Sequence, residues 1–142
     1  MGKVIFAILP LLLLGCGKLN EITAPDDGGG GPPVDPTATF TRVQAEVFTP
    51  NCAVLGCHDA IGRQESLVLA PGRAYTDIVN ASSVQMPSLR RVQPGDPNAS
   101  YLYRKLTGVG IVQERMPQFS PPLPDDKLAL VRDWIRRGAP ND

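Results

Sequence analysis

Two of the three cysteines and the only histidine of the chain fall inside one short stretch, Asn51-Cys52-Ala53-Val54-Leu55-Gly56-Cys57-His58-Asp59. Whatever fold the chain adopts must bring two thiols and an imidazole to one neighbourhood. A cysteine followed directly by histidine, with a second cysteine shortly before, is a pattern that attaches haem covalently. The thiols become thioethers to the porphyrin, and the imidazole becomes the proximal iron ligand. The common spacing leaves two residues between the cysteines, and here four intervene. Three other chemistries use the same residues. In an oxidising compartment Cys52 and Cys57 could form a small disulfide. A structural zinc site takes four ligands, of which Cys52, Cys57 and His58 supply three. A redox-active dithiol usually has its cysteines two residues apart.

The N-terminus decides the compartment. Lys3 precedes an apolar run from Val4 to Leu14, broken only by Pro10. The run falls short of the roughly 20 residues that span a bilayer and suits a secretory signal. It ends in Leu13-Leu14-Gly15-Cys16, which resembles the lipobox of bacterial lipoproteins. That resemblance implies a signal peptide over 1–15 and lipidation of Cys16 as the first mature residue. Residues 17 to 37 hold Asp26-Asp27, the run Gly28 to Gly31 and Pro32-Pro33, with little apolar content. This composition reads as a flexible linker, and a coil of about 20 residues has an r.m.s. span near ~25 Å. The expected organisation is therefore a signal over 1–15, a lipid anchor and disordered linker over 16–37, and one folded domain over 38–142.

Charge excludes one class of partner. The chain carries 14 basic and 14 acidic residues, and loss of the signal removes only Lys3, leaving 13 against 14. A near-neutral chain has no electrostatic footprint for nucleic acid.

The folded part is long enough for one domain. With four Phe, three Tyr and one Trp in the whole chain, its core looks thin, and a buried apolar cofactor would help to stabilise it. Phe40, Val43, Val47 and Phe48 recur on one helical face, with Thr39 as N-cap and Pro50 closing the helix. Gly56 allows a sharp turn between the cysteines. Asp59 to Leu69 reads as irregular, and Pro71-Gly72 opens a short helix with Tyr75, Ile78 and Val79 on its apolar side. Asp96 and Pro97 fit as N-cap and N1 of a further helix, with Tyr101, Leu102 and Leu106 inward and Gly108 at its end. Gly108 to Pro124 reads as a loop. The last helix starts near Pro124, with Asp125 and Asp126 in its first turn and Arg136 and Arg137 in its last, as the macrodipole favours. Leu128, Val131, Trp134 and Ile135 form its apolar face.

This order resembles the class I cytochrome c domain, and more narrowly the bacterial c-type domains with four residues between the attaching cysteines. The matching pieces are Phe48-Thr49-Pro50-Asn51-Cys52, Gly56-Cys57-His58, Pro94-Gly95-Asp96-Pro97, Ser100-Tyr101-Leu102, Lys105-Leu106, Arg115-Met116-Pro117, Pro121-Pro122-Leu123, and Trp134-Ile135 with Gly138-Ala139. They cover about residues 38 to 139. Pro124 departs from the family's usual capping Ser or Thr. The resemblance implies an all-α, cytochrome c-like domain of about four helices around one covalently bound haem c. Cys52 and Cys57 would form the thioethers, His58 would be the proximal iron ligand and Met116 the distal one. Met86, also followed by Pro, is the other methionine left after signal removal. Arg90, Arg91, Arg104 and Arg115 are candidate partners for the propionates, and Tyr101 could pack on the porphyrin or on the core.

Imidazole on one side and thioether sulfur on the other leave iron with no open position, and the soft sulfur raises the potential. The expected function is an electron carrier, not an enzyme: a monohaem cytochrome tethered to a bacterial membrane by its lipid anchor. It would pass single electrons between extracytoplasmic redox proteins. Gly17 after the anchor cysteine favours the outer over the inner membrane. The alternatives are a haem-based sensor or peroxidase-like enzyme with a labile sixth position, and a haem-free lipoprotein binding module clasped by a Cys52–Cys57 disulfide.

Overall fold

The computed structural model describes residues Pro32–Asp142. The expected signal peptide over 1–15, the expected lipidation site Cys16 and the expected linker up to residue 31 lie outside the described residues. Asp35, near the end of the expected linker, already makes contacts with the fold. The Asp35 amide donates to Asp133 Oδ2 at 3.2 Å, and the Asp35 carboxylate lies 3.5 Å from the Arg42 guanidinium. Ordered contacts thus begin slightly ahead of the expected boundary at residue 38.

Among the described residues the chain is helical, with isolated bridges in place of strands. The first helical stretch joins α1 (Phe40–Val43), a π-helical turn (Gln44–Phe48) and α2 (Thr49–Asn51) without a break. Three shorter or later helices follow: α3 (Ala74–Ile78), α4 (Tyr101–Thr107) and α5 (Asp125–Arg136). Among the described residues no helix is long and apolar enough to cross a membrane.

The first stretch shows how sequence signals can compete. Thr39 caps it as expected, its hydroxyl oxygen accepting from the Arg42 amide at 3.2 Å. Pro50 does not close it, because the helix continues to Asn51. A proline inside an α-helix clashes with the carbonyl four residues back, and the wider π turn just before Pro50 relieves that crowding. The Thr49 amide accordingly bonds to the Gln44 carbonyl, five residues back. The Val47 carbonyl is taken up by the Asn51 side chain, whose Nδ2 donates to it at 2.9 Å.

α4 also begins later than the turn chemistry suggests. Ser100, not Asp96, is its N-cap residue. The Asp96 carboxylate instead accepts from the Ala99 amide at 3.0 Å, closing a turn ahead of the helix. Ser100 is fully buried, and its hydroxyl accepts from the Gln93 amide at 2.9 Å and donates to the Asp96 carbonyl at 2.7 Å. α5 starts after Pro124, where the Lys127 and Leu128 amides donate to the Pro124 carbonyl at 3.0 and 3.1 Å.

Both α1 and α4 pack on α5. Val43, Val47 and Phe48 are buried against Val131, Trp134 and Ile135. Phe40 joins three aromatic neighbours. Its ring centroid lies 5.4 Å from Trp134, 5.2 Å from Tyr75 and 6.4 Å from Phe48, the last two edge-on. Edge-to-face pairs of this kind add about 0.5–1.5 kcal/mol beyond burial. Trp134 Nε1 donates to the Pro140 carbonyl at 2.9 Å and the Tyr75 hydroxyl to the Ala139 carbonyl at 3.0 Å. The tail then reaches the free amides at the start of α1, where Phe40 N donates to Asp142 Oδ1 at 2.8 Å. Phe40, Phe48, Tyr75 and Trp134 thus form one aromatic cluster at this end of the domain.

An ion triplet ties the same two helices on their outer side. Glu46 accepts from Arg42 Nε and from Lys127 Nζ, each at 2.8 Å. The Arg42 and then the Lys127 hydrogen bonds pull the Glu46 pKa down from 4.5 to about 2. A carboxylate with a depressed folded pKa stabilises the fold above its unfolded pKa, and this is lost as pH falls through the folded value. Glu46→Gln should therefore be less stable than the wild type near neutral pH, with the two converging between about pH 4.5 and 2. Denaturant midpoints across that window test this; a constant difference down to the lower limit would remove Glu46 as the linked group.

Candidate functional site

A cavity of about 420 Å³ opens between the Cys/His loop, α4 and the loop before α5. That volume is typical of pockets for small molecules and cofactors. Phe48, Val54, Leu67, Leu69, Leu102 and Leu106 supply apolar wall. Cys52, Cys57, His58 and Met116 all line it, and Met86 does not. The structure thus gathers in one cavity the four residues that the sequence singled out, from positions up to 64 apart in the chain. Met86 directly follows the lining residues Ser83, Val84 and Gln85 without itself entering the wall; its amide donates to Ser83 Oγ at 3.2 Å and its carbonyl accepts from the Leu89 amide at 2.9 Å.

Cys52 follows directly from the first helical stretch, its amide donating to the Phe48 carbonyl at 2.9 Å. Its thiol is buried and donates to the Val47 carbonyl at 3.8 Å. Burial, with the charge of Cys57 adding to it, pushes the Cys52 pKa up to about 12. Cys57 is exposed, and the two thiols are free. The four intervening residues form a compact turn. The Cys57 amide donates to the Val54 carbonyl at 3.0 Å, and the His58 amide to the Cys52 carbonyl at 3.1 Å. Gly56 takes φ +81°, the left-handed conformation that its place in the turn requires.

Gly62 matters for a different reason. A Cβ there would stand 2.6 Å from Asp59 Oδ1, 2.7 Å from the Gly56 carbonyl carbon and 2.8 Å from the Cys57 carbonyl oxygen. The chain beyond the motif is folded tightly back on it, and the Gly62 amide donates to Asp59 Oδ1 at 2.6 Å.

His58 is buried, with its backbone gripped on both sides. Besides the Cys52 bond, its carbonyl accepts from the Leu69 amide at 2.7 Å. Burial lowers the imidazole pKa, working against the carbonyls of Leu67 and Gln64, and the Arg91 charge lowers it further. The neutral ring is the form that ligates a metal. Among the described residues Nδ1 is buried with no hydrogen-bond partner, an arrangement that usually calls for an explanation. Among the described residues no three His, Cys, Asp or Glu side chains gather as a metal cluster requires. Cys52, Cys57 and His58 are instead distributed along the wall of one apolar cavity. Two thiols, a neutral imidazole and a thioether around such a cavity fit a porphyrin better than a bare ion.

The four arginines separate. Arg91 alone reaches the cavity wall. It donates to the Asp77 carbonyl at 2.9 Å, the Glu65 carbonyl at 2.9 Å and the Ser66 carbonyl at 3.3 Å. Arg90 is engaged with Asn80 Oδ1 at 2.7 Å, and Arg104 with the Asn98 carbonyl at 2.6 Å. Arg115 donates to the carbonyls of Met116 and Ser120 at 2.9 and 3.0 Å. Tyr101 is buried and faces both the core and the cavity.

Sequence reasoning gave Lys105 no role, yet it is buried and lines the cavity. Its Nζ donates to the Val112 and Glu114 carbonyls at 3.0 and 2.6 Å. Burial lowers its pKa, opposed by Glu65 and Glu114. A lysine four residues after Tyr101 on the inward face of a helix was the available signal. Gln64, Ser83, Gln85 and Phe119 also line the cavity, and nothing in their spacing marks them.

Comparison with family models, curated proteins and solved structures returned no match.

Gly62→Ala is expected to destabilise the domain by about 1–3 kcal/mol through overpacking against the motif backbone. Chemical denaturation measures this directly, and wild-type stability would show that the 59–62 turn yields without disturbing Cys57.

Proposed function

We propose that the chain is a monohaem c-type cytochrome of the class I type, tethered to a bacterial membrane through a lipid on Cys16, and an electron carrier, not an enzyme. One observation carries this reading. Cys52, Cys57, His58 and Met116, chosen by motif and by order along the chain, line a single apolar cavity, and the competing methionine is outside it. When bound, haem c would supply an iron centre that exchanges one electron at a time. Cys52 and Cys57 would hold the group through thioethers, and the His58 imidazole and the Met116 sulfur would be the protein's two donors to its iron. Between them these donors would exclude water and exogenous ligands from the iron. Free thiols at Cys52 and Cys57 favour this over the module clasped by a disulfide. Val54, Leu55, Val84 and Phe119 give the neighbourhood of the cavity an exposed apolar surface, where an extracytoplasmic redox protein could approach.

Three variants test the reading in protein made by a host with cytochrome c maturation. Wild type should keep haem through a denaturing gel, and the Cys52→Ala/Cys57→Ala double variant should lose it. Met116→Ala should abolish the sulfur-to-iron charge-transfer band, lower the reduction potential and open the reduced protein to carbon monoxide; Met86→Ala should leave all three unchanged. Ready binding of carbon monoxide by the wild type would give the site to a sensor or enzyme instead. Absence of covalent haem in the wild type would overturn the reading altogether.

The tether has its own test. Cys16→Ala should leave the membrane fraction and cease to incorporate labelled fatty acid, and unchanged retention would refute lipidation there. With Gly17 after the anchor, the outer membrane is the expected location, and fractionation of the wild type decides between the two membranes.

A further inference from the structure

The loop that carries Met116 contains no regular structure between Gly108 and Pro124. A methionine sulfur at the end of a flexible side chain is a poor fixed point unless the backbone under it is held. Two side chains on one face of α4 hold that backbone. The Val112 amide donates to the Tyr101 hydroxyl oxygen at 3.1 Å, while the Val112 carbonyl accepts from Lys105 Nζ at 3.0 Å. Lys105 Nζ also donates to the Glu114 carbonyl at 2.6 Å. The Lys105 main chain completes the series, its carbonyl accepting from the Met116 amide at 2.8 Å. Residues 112, 114 and 116 are thus fastened in turn to a helix that itself packs on α5.

Tyr101 is positioned from its other side as well. Its hydroxyl donates to Gln85 Oε1 at 3.1 Å, and Gln85 Nε2 donates to Gln113 Oε1 at 2.8 Å, so the segment around residue 85 is drawn onto the same loop. Arg115 adds a brace within the loop through the carbonyls of Met116 and Ser120. Lys105 is buried although it makes no ion pair with a carboxylate among the described residues. Burying an ammonium is expensive unless its protons are accepted, and here the loop carbonyls accept them. Hydrogen bonds from a charged donor are roughly twice as strong as those between neutral groups. A lysine in this setting is better explained by what it holds than by solubility.

We propose that Lys105, seconded by Tyr101, is the positioning residue for Met116: the two clamp the 112–116 backbone to α4 and so set where the sulfur sits in the cavity. This inference rests on the reading of Met116 as a donor to haem iron. Lys105 does not itself touch the reacting centre in this role.

The test uses the full chain, matured with haem. Lys105→Met keeps the length of the side chain and removes its donors. It should retain covalent haem on a denaturing gel while the sulfur-to-iron charge-transfer band weakens severalfold. Carbon monoxide should bind the reduced variant about tenfold or more tightly than the wild type, as expected from the loss of charged hydrogen bonds. Amide exchange at Val112 and Met116 should accelerate, with that at buried α5 positions unchanged. Lys105→Arg, which keeps a cation and donors, should restore most of the band. Should Lys105→Met fail to fold, Tyr101→Phe, which removes a single hydroxyl, must weaken the band and speed exchange at Val112. A full band and unchanged carbon monoxide affinity in Lys105→Met, or in Tyr101→Phe where that variant decides, would overturn the clamp and leave the haem reading intact. A wild type with no covalent haem, or with haem and no such band, would overturn the parent assignment and this one with it.

Discussion

The contact on which the domain depends is that of the first helical stretch with α5. It combines a buried interior, Val43, Val47 and Phe48 on Val131, Trp134 and Ile135, with the outer Arg42–Glu46–Lys127 triplet. Helices of this length are marginal on their own in water, so neither partner persists without the other. Three of the four residues that define the candidate site, Cys52, Cys57 and His58, follow directly from this contact. Cys52 is held by the last turn of the first stretch, and His58 is held by the Cys52 carbonyl. A shift of the first helix on α5 would therefore be a shift of both thiols and the imidazole.

α5 also carries the opposite wall. α4 packs on it and presents Leu102, Leu106, Tyr101 and Lys105 to the cavity. The His58 side and the Met116 side of the cavity are consequently referred to one common element. On the proposed reading this would matter, because the His58 and Met116 donors would need a fixed separation and errors in two independent supports would add. Between the walls the apolar lining remains hydrated unless something covers it, forfeiting ~25 cal/mol for each Å² that could be removed from water. A domain with so few large apolar residues has little stability to spare for such a surface.

Elements whose burial follows a regular period could be read from the sequence. The 40–48 face and the α5 face both repeat at helical spacing, and Val131, Trp134 and Ile135 are buried as that repeat requires. Leu128 is only partly buried, while Leu130 and Asp133 are buried in addition. Asp133 escapes any hydrophobic pattern because its carboxylate is satisfied by Arg132 Nε at 2.7 Å and by the Asp35 amide. Pro50 misleads for a similar reason: a local rule about proline gives way when a π turn widens the helix ahead of it. Asp96 is a sound cap by composition, yet Ser100 takes the N-cap position, its buried hydroxyl accepting from the Gln93 amide and donating to the Asp96 carbonyl. The candidate site was legible at its chemistry-bearing residues, because thiol, imidazole and thioether are scarce in the chain. Its supports were not, since Lys105, Gln85 and Arg91 act through backbone carbonyls or single amides that leave no trace in spacing.

The wall beside His58 illustrates how such supports work. Arg63, Glu65 and Ser66 adopt φ values of 42°, 55° and 53°, a region that ordinary side chains avoid and that costs on the order of 1–3 kcal/mol per residue. Nothing in their identity favours it. The segment nevertheless lines the cavity through Gln64 and Glu65, and its geometry is fixed from outside. The Gln64 amide donates to the Cys57 carbonyl at 3.0 Å, and Arg91 collects the Glu65, Ser66 and Asp77 carbonyls around one guanidinium. Five donors in a rigid fork suit that task as an ammonium would not. The left-handed segment is thus tied at one end to the Cys/His loop and at the other to the end of α3. The imidazole wall is therefore set by chain elements remote in sequence, on the same principle as the Met116 wall. In both places a buried or half-buried cation holds an irregular loop by its carbonyls, where a helix or sheet would have satisfied them internally. That substitution lets loops, and not regular elements, form most of the cavity while keeping their backbone groups paired.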